Sequence, residues 1–312
     1  VTNTPAWPAW PLRFAAYLNE RFRPGLMLFM TTLMVLAHGL AAHVYAGVKL
    51  NASSWQTLSL VTVVLFLIFF HLRVFDEHKD WHIDRYAFPE RVLSRGWVTL
   101  KQLTWLGACA IGLELAIAWW IGWPFFWAIV GCLLYTVAMF FEFGIGTWLR
   151  RSILVYGITH MLVLPGMIVA IYLSCDRISP SYDPFAWPLL AYAVVQFGMA
   201  FSLEVARKVR LPANEKPNVD TYSGQLGLRG ALATILGCQA VALLLLGYVR
   251  EALQLGLNAV VVSVVAWLLV AFGFVALVRR LPARFERQVE GLAVLTPFVL
   301  DIAVFVSWGL FA

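Results

Sequence analysis

Long apolar runs recur along the whole chain, and each is long enough to cross a bilayer, whose hydrocarbon core takes about 20 helical residues. Candidate spans fall near 26–47, 55–75, 102–122, 125–146, 152–174, 186–206, 229–248, 257–278 and 291–311. In hydrocarbon every backbone N–H and C=O must be satisfied within the protein, so only helices and closed barrels are open to such a chain. Barrel strands alternate in polarity over about ten residues, whereas these runs are continuous. The expectation is an all-α polytopic membrane bundle, with about nine transmembrane helices around a central cavity, forming a single membrane domain over 1–312. The hydrophobic content of 61% and charged content of 13% exclude an ordinary soluble domain.

Charge placement orients the bundle. Of the 23 Lys and Arg residues, all but Lys49, Arg177 and Arg250 fall on one side of these spans. The positive-inside rule then places the N-terminus and the polar loops 76–101 and 207–228 in the cytoplasm. The basic balance answers to anionic membrane lipids and not to nucleic acid. No cleavable signal peptide is expected, and residues 1–24, with PAWPAWPLRFAAYLNERFRPG, read as an interfacial amphipathic segment. The four cysteines are scattered without paired spacing and read as small buried hydrophobes.

The chemistry is concentrated in the two loops. In HLRVFDEHKDWHIDRYAFPERVLSRG, Asp76, Asp80 and Asp84 are spaced four apart. A helix turning roughly 100° per residue lets them drift only about 40° per step, so they line one face. Carboxylates that close repel unless a cation sits among them. Hard oxygen donors suit Mg²⁺, which takes one or two carboxylates and bridges to phosphate oxygens. Arg73, Lys79, Arg85 and Arg91 alternate with the acids, as a diphosphate guest requires. His78 and His82, also four apart, belong to this phosphate-type setting more than to a transition-metal site. The second loop, SLEVARKVRLPANEKPNVDTYSGQLG, carries Glu204, Arg207, Lys208, Arg210, Glu215, Asp220 and Tyr222. Glu204 and Lys208 stand one turn apart and suit a simple ion pair; the functional alternative sets Glu204 and Asp220 facing the first loop across a cavity.

These loops resemble the motifs of the UbiA superfamily of intramembrane prenyltransferases. That family's first motif runs Asn-x-x-x-Asp-x-x-x-Asp with Pro, Arg and Gly downstream. Asp76 stands at the Asn position and Glu77 at the acid after it; Asp80 and Asp84 match, and Arg85, Pro89, Arg91 and Gly96 fill the rest. The second motif is a pair of acids four apart. Glu204 stands for the first and Lys208 occupies the place of the second. Either Asp220 or Glu215 supplies the missing ligand, or Lys208 contacts phosphate directly.

The resemblance implies Mg²⁺-dependent transfer of a prenyl group from its diphosphate to a lipophilic acceptor within the membrane. It implies Asp76, Asp80 and Asp84 as the catalytic acids, with Glu204 and Asp220 as further metal ligands. Arg73, Lys79, Arg85, Arg91, Arg207, Lys208, Arg210 and Tyr222 would surround the diphosphate. Glu142 and His160, at the ends of or within apolar spans, are candidates for the acceptor side of the cavity, where ionisable groups are costly. Glu114 and Asp301 read as helix-gluing groups. Two alternatives stay open: a cyclase of the same fold that quenches the cation internally, and a divalent-cation transporter or binding protein.

Overall fold

The structure, a computed structural model, describes residues 9–176, 178–215 and 219–309. Residues 1–8 of the interfacial segment, Arg177 and Lys216 of the charge pattern, and the last two positions of the final expected span lie outside the described residues. The described chain is helical with no strand. In order the helices are α1 (Trp10–Arg21), α2 (Pro24–Ala46), α3 (Ala52–Ala87), α4 (Leu100–Ile121), α5 (Trp123–Phe140), α6 (Gly146–Leu149), α7 (Ile153–Met161), α8 (Val163–Ser174), α9 (Trp187–Arg207), α10 (Tyr222–Val249), α11 (Leu257–Arg280), α12 (Phe285–Ala293) and α13 (Leu295–Ser307). Among the described residues nine segments are long and apolar enough to cross a membrane, with α7–α8 and α12–α13 each counting as one. The chain is an integral, multi-pass membrane protein. It packs as two compact units, one of residues 1–36 and 51–140, the other of 37–50 and 141–312.

The first unit is built around α3. Asn51 caps its start by accepting from the Ser54 N–H at 3.0 Å. The helix then runs 36 residues, about 54 Å, well beyond an apolar core of about 30 Å. No Pro or Gly interrupts it until Pro89, so Asp76–Tyr86 continue the helix where the sequence suggests a loop. Only 88–99 are irregular, ending in a capping box in which Thr99 and Gln102 satisfy each other's backbone N–H groups at 3.2 and 3.0 Å. Tyr17, Phe22, Phe70, Val74, Val92, Leu93 and Leu103 form the core at this end, which seats α1 against α3. At the α4–α5 turn, Trp119, Trp123, Phe126 and Trp127 pack together, mostly edge to face with Trp123 stacked on Trp127, an aromatic cluster of the kind found at a bilayer interface.

Deeper in the same unit lies a wholly buried polar chain. His71 Nδ1 lies 2.8 Å from Glu114 Oε1, and His71 Nε2 lies 3.2 Å from Thr136 Oγ1. The Thr136 hydroxyl donates to the Leu133 carbonyl at 2.8 Å, so it must accept from His71 Nε2–H. Nδ1 then faces the Glu114 carboxylate, and each group is the other's polar partner within the span. That resolves the cost of Glu114 inside a span and ties α3, α4 and α5 together.

In the second unit, two prolines set the helix breaks. Pro165 removes the N–H that would reach the Met161 carbonyl, and the helix divides at Leu162. Pro297 does the same to the Ala293 carbonyl at the α12–α13 division. There the vacated carbonyl accepts from Gln239 Nε2 at 3.0 Å, which also donates to Ser202 Oγ at 3.1 Å. One buried glutamine of α10 thus satisfies the proline break and binds α9. Phe201, Val205, Tyr222, Ile235, Phe274, Phe285 and Val289 form the surrounding core.

Removing one partner of the buried His71–Glu114 pair leaves the other uncompensated, a loss of about 3 kcal/mol. Glu114→Ala is expected to lower the thermal unfolding midpoint in detergent sharply, and His71→Phe with Glu114→Leu to recover much of it. Equal damage from single and double replacement would contradict the pairing.

Candidate active site

The acids of the first motif project from the polar extension of α3 and meet guanidiniums. Arg73 pairs with Asp76 and lies 3.8 Å from Glu77. Arg21 of α1 spans two acids, its Nε 2.7 Å from Glu77 Oε1 and its Nη2 3.2 Å from Asp84 Oδ2. Arg91 pairs with the same Asp84 oxygen and stacks over the Phe88 ring at 3.6 Å. Burial and the neighbouring Arg21 lower the Arg91 pKa from its ordinary value, while Asp84 pulls it upward. The side chain of Glu77 is 3% exposed and that of Asp84 17%, against 50% for Asp76. Glu77 is therefore the interior anchor. Asp80 is exposed and makes no ion pair among the described residues.

The other predicted members of this motif are placed differently. Lys79 Nζ donates to the Met139 carbonyl at 3.4 Å. Arg85 turns outward onto Tyr86, its guanidinium 4.4 Å from the ring centre. His78 bridges the Val74 carbonyl and Thr104 Oγ1 at 2.8 and 2.9 Å, pinning α3 to α4; this fills both ring nitrogens and accounts for the histidine without a metal. Arg21 and Glu20 are the residues that sequence reasoning missed. Glu20 accepts from the Val92 N–H at 3.1 Å, so α1 holds both ends of the motif. The available signal was the amphipathic pattern of the N-terminal segment, read as an anchor to lipid.

The second motif lies in the other unit. Glu204 pairs with Arg207 and with Lys208, the latter at 2.9 Å, so the helical-turn ion pair is present. Arg210 donates to the Arg207 and Val209 carbonyls at 3.0 and 2.7 Å and lies 3.8 Å from Glu286. Glu215 accepts from the Thr221 and Ser223 hydroxyls at 2.7 and 3.1 Å, closing the loop onto the start of α10. Asp220 is exposed beside that cap. Tyr222 is wholly buried: its N–H donates to the Lys208 carbonyl at 3.1 Å, and it meets the Phe201 ring edge-on. Its hydroxyl occupies space that a Cβ on Gly157 would claim. Five residues on, Gly227 takes φ 70°, ψ 160° and kinks α10, a conformation for which glycine is suited.

Glu142 corrects an expected boundary. The run 125–146 is not one span, because α5 stops at Phe140 and Glu142, Phe143 and Gly144 all take positive φ. In that turn the Glu142 carboxylate packs where a side chain at 146 would be, since an added Cβ on Gly146 would lie 2.0 Å from its Oε2. Arg150 grips it with Nη2 and Nε at 2.7 and 3.2 Å. These bonds and the charge of Glu142 raise the Arg150 pKa. His160, on α7, stacks on Tyr156 with ring centres 3.9 Å apart.

Oxygen-only donors along one face of α3 have the right chemistry for Mg²⁺, yet no three His, Cys, Asp or Glu side chains among the described residues converge to cage a metal. Asp80 is the open donor, and Mg²⁺ needs only one or two carboxylates when water and phosphate oxygens complete its shell. The donor set fits a metal that arrives with phosphate.

Helices, polar extension and acid row define an all-helical membrane protein with a charged site at the end of a span. Comparison with solved structures then identifies the fold. A digeranylgeranylglyceryl phosphate synthase aligns with a TM-score of 0.65, covering 95% of this chain and 99% of that one at 13% identity. A UbiA homolog from Aeropyrum pernix K1 aligns with a TM-score of 0.62, covering 88% and 97% at 16% identity. The chain has the UbiA-superfamily fold, as its first motif suggested. No family model matches the sequence, and no curated protein sequence matches it.

Because Glu77 is buried between Arg21 and Arg73, Glu77→Ala is expected to cost about 3 kcal/mol and to release α1. Limited proteolysis should then cut within 10–23 at least tenfold faster than in the parent protein. Unchanged protection of α1 would show that its apolar contacts alone hold it.

Proposed function

We propose that this protein transfers a prenyl group from a prenyl diphosphate to a lipophilic acceptor inside the membrane, in a Mg²⁺-dependent reaction. The observation that carries the reading is the row Asp76–Asp80–Asp84 on the extension of α3, ringed by Arg21, Arg73 and Arg91, on a UbiA-type fold. A site of this composition suits a guest that is both anionic and metal-bridging, which a diphosphate is and a bare cation is not.

Ionisation of an allylic C–O bond builds negative charge on the departing diphosphate. In the proposal Asp80 holds the metal with Asp76 or Asp84, and Mg²⁺ when bound supplies Lewis-acid stabilisation of the leaving group. Arg73 and Arg91 present planar donors matched to phosphate oxygens. Glu77, kept from solvent, holds Arg21 and Arg73 in place so that their orientation costs nothing further as charge develops. In the second motif the resemblance implies Glu204, or the exposed Asp220, as a metal ligand and Arg207 and Lys208 as phosphate donors. The site loops face the cytoplasm in this reading, which rests on the charge asymmetry of the sequence.

The test is diphosphate release by purified protein given prenyl diphosphates and a membrane-lipid extract as acceptor source. Asp80→Ala and Asp84→Ala should each lower turnover by about 100-fold or more, with the protein still monodisperse. A chelator should abolish turnover and added Mg²⁺ restore it. Full activity in both variants would overturn the site. Diphosphate release without acceptor, accompanied by a cyclic hydrocarbon or alcohol, would replace transfer by cyclisation. Divalent-cation uptake into proteoliposomes without prenyl substrate would replace both.

A further inference from the structure

An unassigned groove runs between α11 and α12 in the second unit. It has a volume of about 650 Å³ and is lined by Gly273, Leu277, Arg284, Arg287, Gln288, Gly291 and Leu292. The local fold follows from the turn between these helices. α11 ends with Arg279 and Arg280, Leu281 takes a left-handed φ of 42°, and its N–H closes onto the Leu277 carbonyl at 2.8 Å. Pro282 prevents continuation, and α12 starts at Phe285. Phe285, Val289 and Ala293 bury one face of α12 in the core. Its opposite face carries the groove residues at helical spacing.

Polarity is graded along this groove. On α12 the lining passes from Arg284, Arg287 and Gln288 to Gly291 and Leu292, a rise of about 12 Å over eight residues. On α11 it passes from Leu277 at the rim to Gly273 one turn deeper. Both helices are therefore charged or polar near the connecting turn and apolar away from it. Arg279, Arg280, Arg284 and Arg287 are all exposed, and none makes an ion pair among the described residues; the nearby Glu286 is engaged by the Leu211 N–H and Asn214 at 2.9 Å. A Cβ on Gly291 would meet nothing within 4 Å, so the groove is open there, whereas one on Gly273 would strike Leu292 at 2.7 Å.

We infer that this groove is a binding site for an anionic glycerophospholipid. Arg284 and Arg287 hold the headgroup phosphate, and an acyl chain lies along Leu277, Gly273, Gly291 and Leu292. Charge complementarity selects this occupant: unpaired guanidiniums at the end of a membrane span attract acidic headgroups, and the apolar continuation rejects a guest that is only anionic. None of these residues belongs to the proposed prenyl-diphosphate site, so the inference is independent of that reading.

The experiment is native mass spectrometry of delipidated protein titrated with phosphatidylglycerol or phosphatidylcholine. Phosphatidylglycerol should bind the parent protein more tightly than phosphatidylcholine. Arg284→Gln with Arg287→Gln should weaken it about thirtyfold. Arg279→Gln with Arg280→Gln removes the same charge from residues that do not line the groove, and should change affinity less than about threefold. Gly291→Phe, which alters no charge, should weaken binding by filling the chain seat. Equal losses from the two arginine pairs would reduce the effect to general surface charge and overturn the site. So would equal affinity for the two lipids.

Discussion

Charge balance at the end of α3 is the constraint on which this structure depends. Asp76, Glu77, Asp80 and Asp84 within three turns of one helix would repel one another at the membrane surface. Arg21, Arg73 and Arg91 offset that repulsion through ion pairs with Asp76, Glu77 and Asp84. Exposed ion pairs contribute little to stability, but Glu77 is buried, and its partners come from two helices. The same contacts that make the acid row tolerable therefore fix α1 on α3. They also leave Asp80 as the one acid of the row without an ion pair among the described residues.

Elsewhere the helices are joined by fewer, buried polar links. The His71–Glu114–Thr136 chain gives a carboxylate inside a span a buried partner and links α3, α4 and α5. Gln239 repairs the carbonyl that Pro297 vacates and reaches α9 with the same amide nitrogen. Apolar side chains gain little by packing against one another in place of lipid, so close packing and such links distinguish one helix arrangement from another.

Much of this was legible in the sequence, for reasons particular to each element. The apolar runs mark the spans because hydrocarbon admits few exceptions, and the i, i+4, i+8 acids mark one face of α3 because the helix is uninterrupted to Pro89. The break after Phe140 was hidden: Glu142 and Phe143 are not residues that announce positive φ, and Gly144 and Gly146 read equally well inside a membrane helix. Arg21 was hidden because its partners lie 56 and 63 residues away, a separation that no local pattern reports. Tyr222 illustrates the opposite difficulty. Its neighbours in sequence are polar, yet Gly157 opens a space that takes the ring into the core.

The central claim is that the acid row accepts a metal together with a diphosphate, since most of its carboxylates are already held by guanidiniums. Binding of Mn²⁺, as a paramagnetic substitute for Mg²⁺, measured by electron paramagnetic resonance with and without a non-hydrolysable prenyl diphosphate analogue, tests this most directly. The account predicts weak binding of the ion alone and binding at least tenfold tighter with the analogue, lost in Asp80→Ala. Equally tight binding in the absence of the analogue would contradict it, because a preformed metal cage would then exist without the phosphate.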